Sequence, residues 1–330
     1  MRLLRNLFLI SVPAVVVILL LLEGILRIAG YVPWYLDGRA YIPSTNPGTV
    51  YELRPGFSGL YAGAPIVINS DGFRGKELAK LQPRFRLVVV GDSFAFGQGV
   101  RDDETLAEQL AVRLQQKMGA SVDVINLGVP GYNTCQEYSR FKERALLLKP
   151  QAALLLYVEN DTEPSPFSVK GDLVISPDVR TGLLGDLAAA ARESSATYNL
   201  AWTRFQLLKG ATYSIDQYRE LVARKFDLAN PSWGKSKACL ADMISLAKAQ
   251  SIRFVVIPFP ILQGLTTKPY PFEMYTKAIC DAVRTSGAEC LDVVPTLQDL
   301  DIRLTVSQTE QHPSTEVYRR ITEPIAAILP

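Results

Sequence analysis

The chain has 330 residues, 48% of them hydrophobic, enough for one large domain or for one domain with an insertion. Its 35 basic and 33 acidic residues leave a formal charge of +2, which gives no basic surplus for a nucleic-acid partner. No G-x-x-x-x-G-K-[ST] loop is present, and Gly91, Gly97 and Gly99 do not make a dinucleotide fingerprint, so no nucleotide cofactor is expected. Arg2 and Arg5 precede Leu7 to Leu22, an apolar run that contains Ser11 and Pro13 but no charge. A helix of about 16 residues spans only about 24 Å, short of the about 30 Å of a bilayer core. The span is therefore expected to borrow Leu3 and Leu4, or to continue past Glu23 through Gly24-Ile25-Leu26, within residues 3–28. A cleaved signal peptide is the alternative, but no small-x-small site directly follows the run, and an uncleaved anchor is favoured. Arginines before the run place the N-terminus in the cytoplasm and the rest of the chain outside the inner membrane, a bias that Arg27 weakens slightly.

Residues 31–85 form a connector rich in Tyr, Pro and Gly. Leu53 to Leu60 reads as extended, Ile66-Val67-Ile68 as a short strand, and Asn69-Ser70-Asp71-Gly72 as a turn with glycine at a positive φ. The apolar run favours docking onto the following domain over a flexible tether. Leu87-Val88-Val89-Val90 is a buried strand that stops at Gly91-Asp92-Ser93. A helix begins near Asp102 or Asp103, with Leu106, Leu110, Leu114 and Met118 as its apolar stripe. Val122 to Asn126 is a strand that runs into a glycine loop, Leu127 to Thr134. The next helix opens with Thr134-Cys135-Gln136-Glu137, a capping-box pattern, and ends at Pro150. Ala152 to Tyr157 is another apolar strand, followed by Val158-Glu159-Asn160-Asp161.

The α/β alternation then breaks over residues 163–234, an insertion with a short strand at Leu173-Val174-Ile175. Ala188 to Leu228 reads as helical in pieces, with Trp202, Phe205, Leu207 and Leu208 as apolar contacts. The insertion leaves the sheet's carboxyl edge, so it either covers the site as a lid or decorates the periphery. Lys235 to Ala249 and Pro271 to Thr285 read as helices, Arg253 to Ile257 and Cys290 to Val294 as strands. Ser314 to Leu329 closes the chain as a helix containing Pro324. Strands alternating with helices give a parallel five-stranded sheet.

Chemistry concentrates at strand ends. Ser93 follows a strand at a tight glycine turn, where open α/β folds bind ligands. A serine nucleophile needs a base that titrates near neutrality, and the chain holds a single histidine, His312, followed by Pro313. The glycine loop and Asn160 supply backbone N–H groups and an amide, the donors used for a developing oxyanion. The four cysteines, Cys135, Cys239, Cys280 and Cys290, lack zinc spacing, and no metal site is expected. Cys135 reads as a small buried residue. An oxidising compartment would permit one disulfide, with Cys280–Cys290 the first candidate.

In the order Gly91-Asp92-Ser93, Gly131, Asn160-Asp161 and His312-Pro313, the chain resembles the SGNH (GDSL-type) hydrolase family over roughly residues 86–330. The resemblance implies a flavodoxin-like three-layer α/β/α fold and ester hydrolysis or acyl transfer, with no organic cofactor. It casts Ser93 as nucleophile and His312 as base, with the N–H of Ser93, the N–H of Gly131 and the Asn160 side chain as oxyanion hole. Gly128 is a second candidate for the glycine. The third block begins at Val158 where the family has glycine. The aspartate two or three residues before the histidine is replaced by Glu310 and Thr309. Glu310 either orients His312 or is a solvated loop charge, with a carbonyl serving instead; Asp299 and Asp301 are the nearest upstream aspartates.

The expected organisation is a membrane anchor at 1–30, an extracytoplasmic connector packing on the core at 31–85, and a catalytic domain at 86–330. The expected activity is that of an envelope serine esterase or O-acyltransferase, with O-acyl groups of a polysaccharide as substrate. The alternatives are a lysophospholipase or thioesterase beside its own anchor, and a catalytically silent binding protein.

Overall fold

A computed structural model describes the chain except residues 1, 30, 32–39, 79–82, 171–172, 176–186, 189–190, 192–193, 210–212, 299 and 308–310. The chain forms two compact units, Met1–Leu36 with Pro177–Ala211, and Asp37–Ser176 with Thr212–Pro330.

In the first unit, α1 (Arg2–Ile28) runs through Pro13 and past Glu23, so it takes in both of the extensions expected for the apolar run. Its 20 residues from Leu9 to Ile28 are long and apolar enough to cross a bilayer, and none of them is buried inside the protein. The charged end of α1 meets a second helix, α5 (Ala196–Lys209). Glu23 accepts hydrogen bonds from Ser195 Oγ, Ala196 N and Thr197 N at 2.9–3.1 Å, and so caps the α5 N-terminus. Arg27 bonds Glu23 and donates to Ser194 O at 2.6 Å. The Trp202 and Phe205 rings on α5 lie 6.3 Å apart, and Phe205 is exposed; the side chains of Leu207 and Leu208 lie outside the described ones.

The second unit opens with two antiparallel hairpins, β1 (Tyr41–Pro43) with β2 (Tyr51–Leu53), and β3 (Ser58–Tyr61) with β4 (Ala64–Val67). The expected extension from Leu53 to Leu60 is broken by a turn in which Phe57 N donates to Arg54 O. Five parallel strands follow: β5 (Phe85–Gly91), β6 (Val122–Asn126), β7 (Ala152–Tyr157), β10 (Arg253–Pro258) and β11 (Glu289–Cys290). They lie in the order β11-β10-β7-β5-β6, the doubly wound arrangement whose strand order reverses between β5 and β7. Every residue of β5 and of β7 is buried, because helices cover both faces of a parallel sheet. The helices α3 (Leu106–Met118) and α10 (Thr315–Ile328) pack together on one side. On the other, α4 (Thr134–Arg140) packs on α7 (Pro231–Ala249), and α7 on α8 (Glu273–Thr285). The insertion returns to this unit as a hairpin of β8 (Ser168–Lys170) and β9 (Leu173–Ile175), and as α6 (Ile215–Lys225).

Three further expectations are corrected. The N-cap of α4 is Asn133, whose side chain accepts from Cys135 N and Gln136 N while Gln136 reaches back, so Glu137 is free of any capping role and is buried. The last strand is only Glu289–Cys290, because the chain turns at Asp292, whose Oδ1 accepts from Val294 N, and Pro295 then suits the start of a short helix, α9 (Val294–Leu297). Cys135 is not a lone buried thiol: it is joined to Cys239, which ties α4 to α7, alongside Cys280–Cys290.

The two disulfides close loops of very different length, with separations of 104 and 10 residues. Chain entropy makes the longer one the larger contributor, by about 2 kcal/mol. Urea unfolding should show Cys239→Ser as the more destabilised variant compared with Cys290→Ser.

Candidate active site

The first site element is built by Gly91, with φ +148°. A Cβ there would lie 2.8 Å from Ala95 Cβ and 2.9 Å from Leu156 O, so only glycine lets β5 turn this sharply into α2 (Ser93–Phe96). Asp92 Oδ1 accepts from Phe94 N at 2.8 Å and caps that turn. Ser93 is thereby held at the carboxyl edge of the sheet, at the strand-order reversal. Its Oγ lies 2.7 Å from His312 Nε2 and 3.2 Å from Asp92 Oδ2. The hydroxyl has one proton to donate, and the imidazole is the nearer acceptor.

His312 reaches the site from the far end of the chain. Thr305 and Pro313 form a bridge, Val306 N donates to His312 O at 2.9 Å, and Ser314 N donates to Leu304 O at 3.0 Å. Ser314 then caps α10 by accepting from Val317 N. The Phe94 ring stands 5.1 Å from the imidazole and 5.1 Å from Phe259. Tyr318 on α10 donates to Phe94 O at 2.8 Å, which links the helix after His312 to the turn that carries Ser93.

Asn160 follows β7, and its Nδ2 donates to Asp92 Oδ2 at 3.3 Å, so Ser93 and Asn160 share one buried carboxylate. Val158, at the place where glycine was expected, is buried, and its N–H donates to Asp161 Oδ2 at 2.9 Å. Gly131 has φ +78°, and a Cβ there would sit 2.3 Å from Phe167 Cε2 and 2.9 Å from the Tyr51 hydroxyl. Tyr51 donates to Pro130 O at 2.7 Å, so the first hairpin backs the glycine loop. Gly128 is spent on packing: its N–H donates to Asn126 Oδ1 at 2.9 Å, and a Cβ would lie 2.2 Å from Phe96 N. Glu310 and Asp299 lie outside the described residues, and Asp301 is exposed.

Burial pushes the Asp92 carboxyl upward, opposed by the Phe94 N–H, the nearby His312 and the Asn160 and Ser93 donors. Sequence reasoning missed Arg74, which is 4% exposed. It donates to Phe96 O at 2.9 Å, to Gly97 O and Val100 O at 2.5 Å each, and to Asp102 Oδ1 at 2.8 Å, and so shapes the loop after α2. Nothing in the connector sequence marks this arginine as buried, because its acceptors, three backbone carbonyls and the Asp102 carboxylate, lie more than 20 residues away.

A serine oxygen in contact with an imidazole nitrogen, at the carboxyl edge of a doubly wound sheet, is the arrangement of a hydrolase that works through nucleophilic attack. Residues 89–320 match the GDSL-like lipase/acylhydrolase family, and the chain belongs to that family of ester hydrolases. Among solved structures it is similar to a protein of the G-D-S-L family from Desulfitobacterium hafniense DCB-2, with 16% identity, 74% of this chain and 100% of that chain covered, and TM-score 0.42. It is also similar to the lipase/acylhydrolase from Enterococcus faecalis (15% identity, 74% and 94% covered, TM-score 0.40). A third is an acetylxylan esterase from Geobacillus stearothermophilus (12% identity, 76% and 95% covered, TM-score 0.42). No curated protein sequence matches the chain significantly.

Gly131→Ala should lose about 1–3 kcal/mol of stability through backbone strain alone, with further loss from the Phe167 clash. Urea unfolding followed by tryptophan emission measures it.

Proposed function

We propose that the protein is a membrane-anchored serine esterase or O-acyltransferase of the cell envelope, with Ser93 as nucleophile and His312 as general base. The observation that carries this reading is the 2.7 Å contact between Ser93 Oγ and His312 Nε2. His312 takes the hydroxyl proton as Ser93 attacks an ester carbonyl, then returns it to the leaving alkoxide. The developing oxyanion is held by the N–H groups of Ser93 and Gly131 and by Asn160. One of the two N–H bonds of the Asn160 amide is engaged by Asp92, and the other remains for substrate. Water or a sugar hydroxyl then resolves the acyl-enzyme. Glu310 is assigned the part of orienting His312 through Nδ1.

Supporting an extracytoplasmic site are the two disulfides, which persist in oxidising compartments. Supporting an anchor that stays attached are the bonds from Glu23 and Arg27 to residues Ser194 to Thr197. Arg2 and Arg5 then hold the N-terminus in the cytoplasm. The insertion supplies a wall for substrate selection: Tyr218 and Lys225 of α6 both bond Glu159, beside Asn160. O-acyl groups of an envelope polysaccharide are the proposed substrate. A silent binding protein would not need Ser93 and His312 in contact.

Ser93→Ala should abolish labelling by a fluorophosphonate probe with folding intact; labelling at the wild-type level would overturn the assignment. Glu310→Gln should cut turnover of p-nitrophenyl acetate strongly while sparing stability, because the charge that steadies imidazolium is lost. A Glu310→Gln variant as active as wild type would remove Glu310 from the mechanism. For topology, a reporter active only outside the cytoplasm should work when fused after Pro330.

A further inference from the structure

Behind Ser93 three carboxyl groups are shut away from solvent: Asp92, Glu137 and Asp161. Asp92 has its donors, and Asp161 Oδ2 accepts from Val158 N. Left over are both Glu137 oxygens and Asp161 Oδ1, buried with no hydrogen-bond partner among the described residues. A carboxylate ion in that position is far costlier than a neutral acid. No cation among the described residues bonds to it: Arg140, three residues along the same helix, is turned to Leu127 O and Gly72 O, at 2.9 Å each. The ionisable groups around the pair are Asp92 from the end of β5, Tyr157 from β7, Tyr275 from α8 and Glu159 from the loop itself, with His312 acting on Asp92. The helix α7, packed on α4, faces it with the Ser236 hydroxyl, bonded to Thr134 and Tyr157.

The pair sits where α4 is joined to the loop that carries Asn160. Thr134 N and Oγ1 both donate to Asp161 O at 3.2 Å, and Asn133 Nδ2 donates to Glu163 O at 3.1 Å. Asp161 Oδ1 is a buried loop acceptor with no partner among the described residues, and Glu137, also without one, lies in the first turn of α4, three residues after Thr134. We propose that Glu137 is a positioning residue for the ester chemistry: held as a neutral acid against Asp161, it fixes the 158–163 loop so that Asn160 stays in register with Ser93. This rests on the catalytic reading above and adds to it the group that holds the oxyanion loop.

Burial pushes both Glu137 and Asp161 well above the usual carboxylate range, and for Asp161 the Glu137 charge adds to the shift. Groups raised in this way stabilise the fold below the ordinary carboxylate pKa, and that stability is lost as pH rises through the raised values. Loss of the shared proton would place a second negative charge beside Asp92 and loosen the Asn160 loop, which gives an alkaline fall in turnover separate from the histidine limb.

The test is the kcat and KM of the full chain for p-nitrophenyl acetate between about pH 6 and pH 10, for wild type, Glu137→Leu and Glu137→Gln. Leucine keeps the bulk and removes the donor; it should lower kcat between about tenfold and a hundredfold with KM nearly unchanged. Glutamine can donate to Asp161 but cannot ionise, so it should restore most of the lost kcat and remove the alkaline fall. Wild-type kcat in the leucine variant, or an alkaline fall retained in the glutamine variant, overturns the proposal. If the leucine variant does not fold, the glutamine pH profile decides alone. Failure of wild type to label with the fluorophosphonate would sink the catalytic reading itself, whereas a labelled wild type with indifferent Glu137 variants sinks only this one.

Discussion

The parallel pairing of β5 with β7 sets the register on which the site depends. Gly91 lies opposite Leu156, close enough that a methyl group on Gly91 would strike the Leu156 carbonyl. Two residues beyond Gly91 comes Ser93, and four beyond Leu156 comes Asn160. Both reach the buried Asp92 carboxylate, at 3.2 and 3.3 Å. A slip of one residue would reverse every side chain of β7 and take Asn160 away from Asp92. The strand order reverses between these two strands, so the helices that follow them diverge to opposite faces and leave a crevice above their ends.

That crevice is closed from two directions. From the N-terminal side, the first hairpin sends Tyr51 under Gly131, where Tyr41, Tyr132 and Phe167 complete an aromatic cluster with ring centroids 5.1–5.6 Å apart. Arg74 reaches three carbonyls of the loop after α2, a task suited to a planar guanidinium with several donors in fixed directions. From the C-terminal side, Tyr318 holds Phe94, and the Thr305–Pro313 bridge holds the histidine segment. Ser93, His312 and the Asn160 loop thus come from three distant stretches of chain, each fixed by hydrogen bonds to backbone groups.

Much of the sheet was legible because burial on both faces writes itself as unbroken apolar runs, as in Leu87 to Val90 and Ala152 to Tyr157. Short elements were not. The final strand pairs over two residues, too few for periodicity to show. Thr134-Cys135-Gln136-Glu137 satisfies a capping box by residue type, yet Asn133 takes the cap one residue earlier. Its side chain can accept from two N–H groups at once.

The amino-acid sequence by itself determined the apolar strands, the glycine turn that ends the first core strand at Ser93, the single histidine of the chain, and an N-terminal helix able to span a membrane. These are local properties, set by side-chain type and spacing along a few residues. Only the tertiary structure decided that His312 meets Ser93 across 219 positions, that Cys135 joins Cys239, that Gly128 is consumed by packing, and that Arg74 and Glu137 lie buried around the site. A charged residue becomes buried through the partners or protons that other segments supply, and that pairing exists only once the chain has folded.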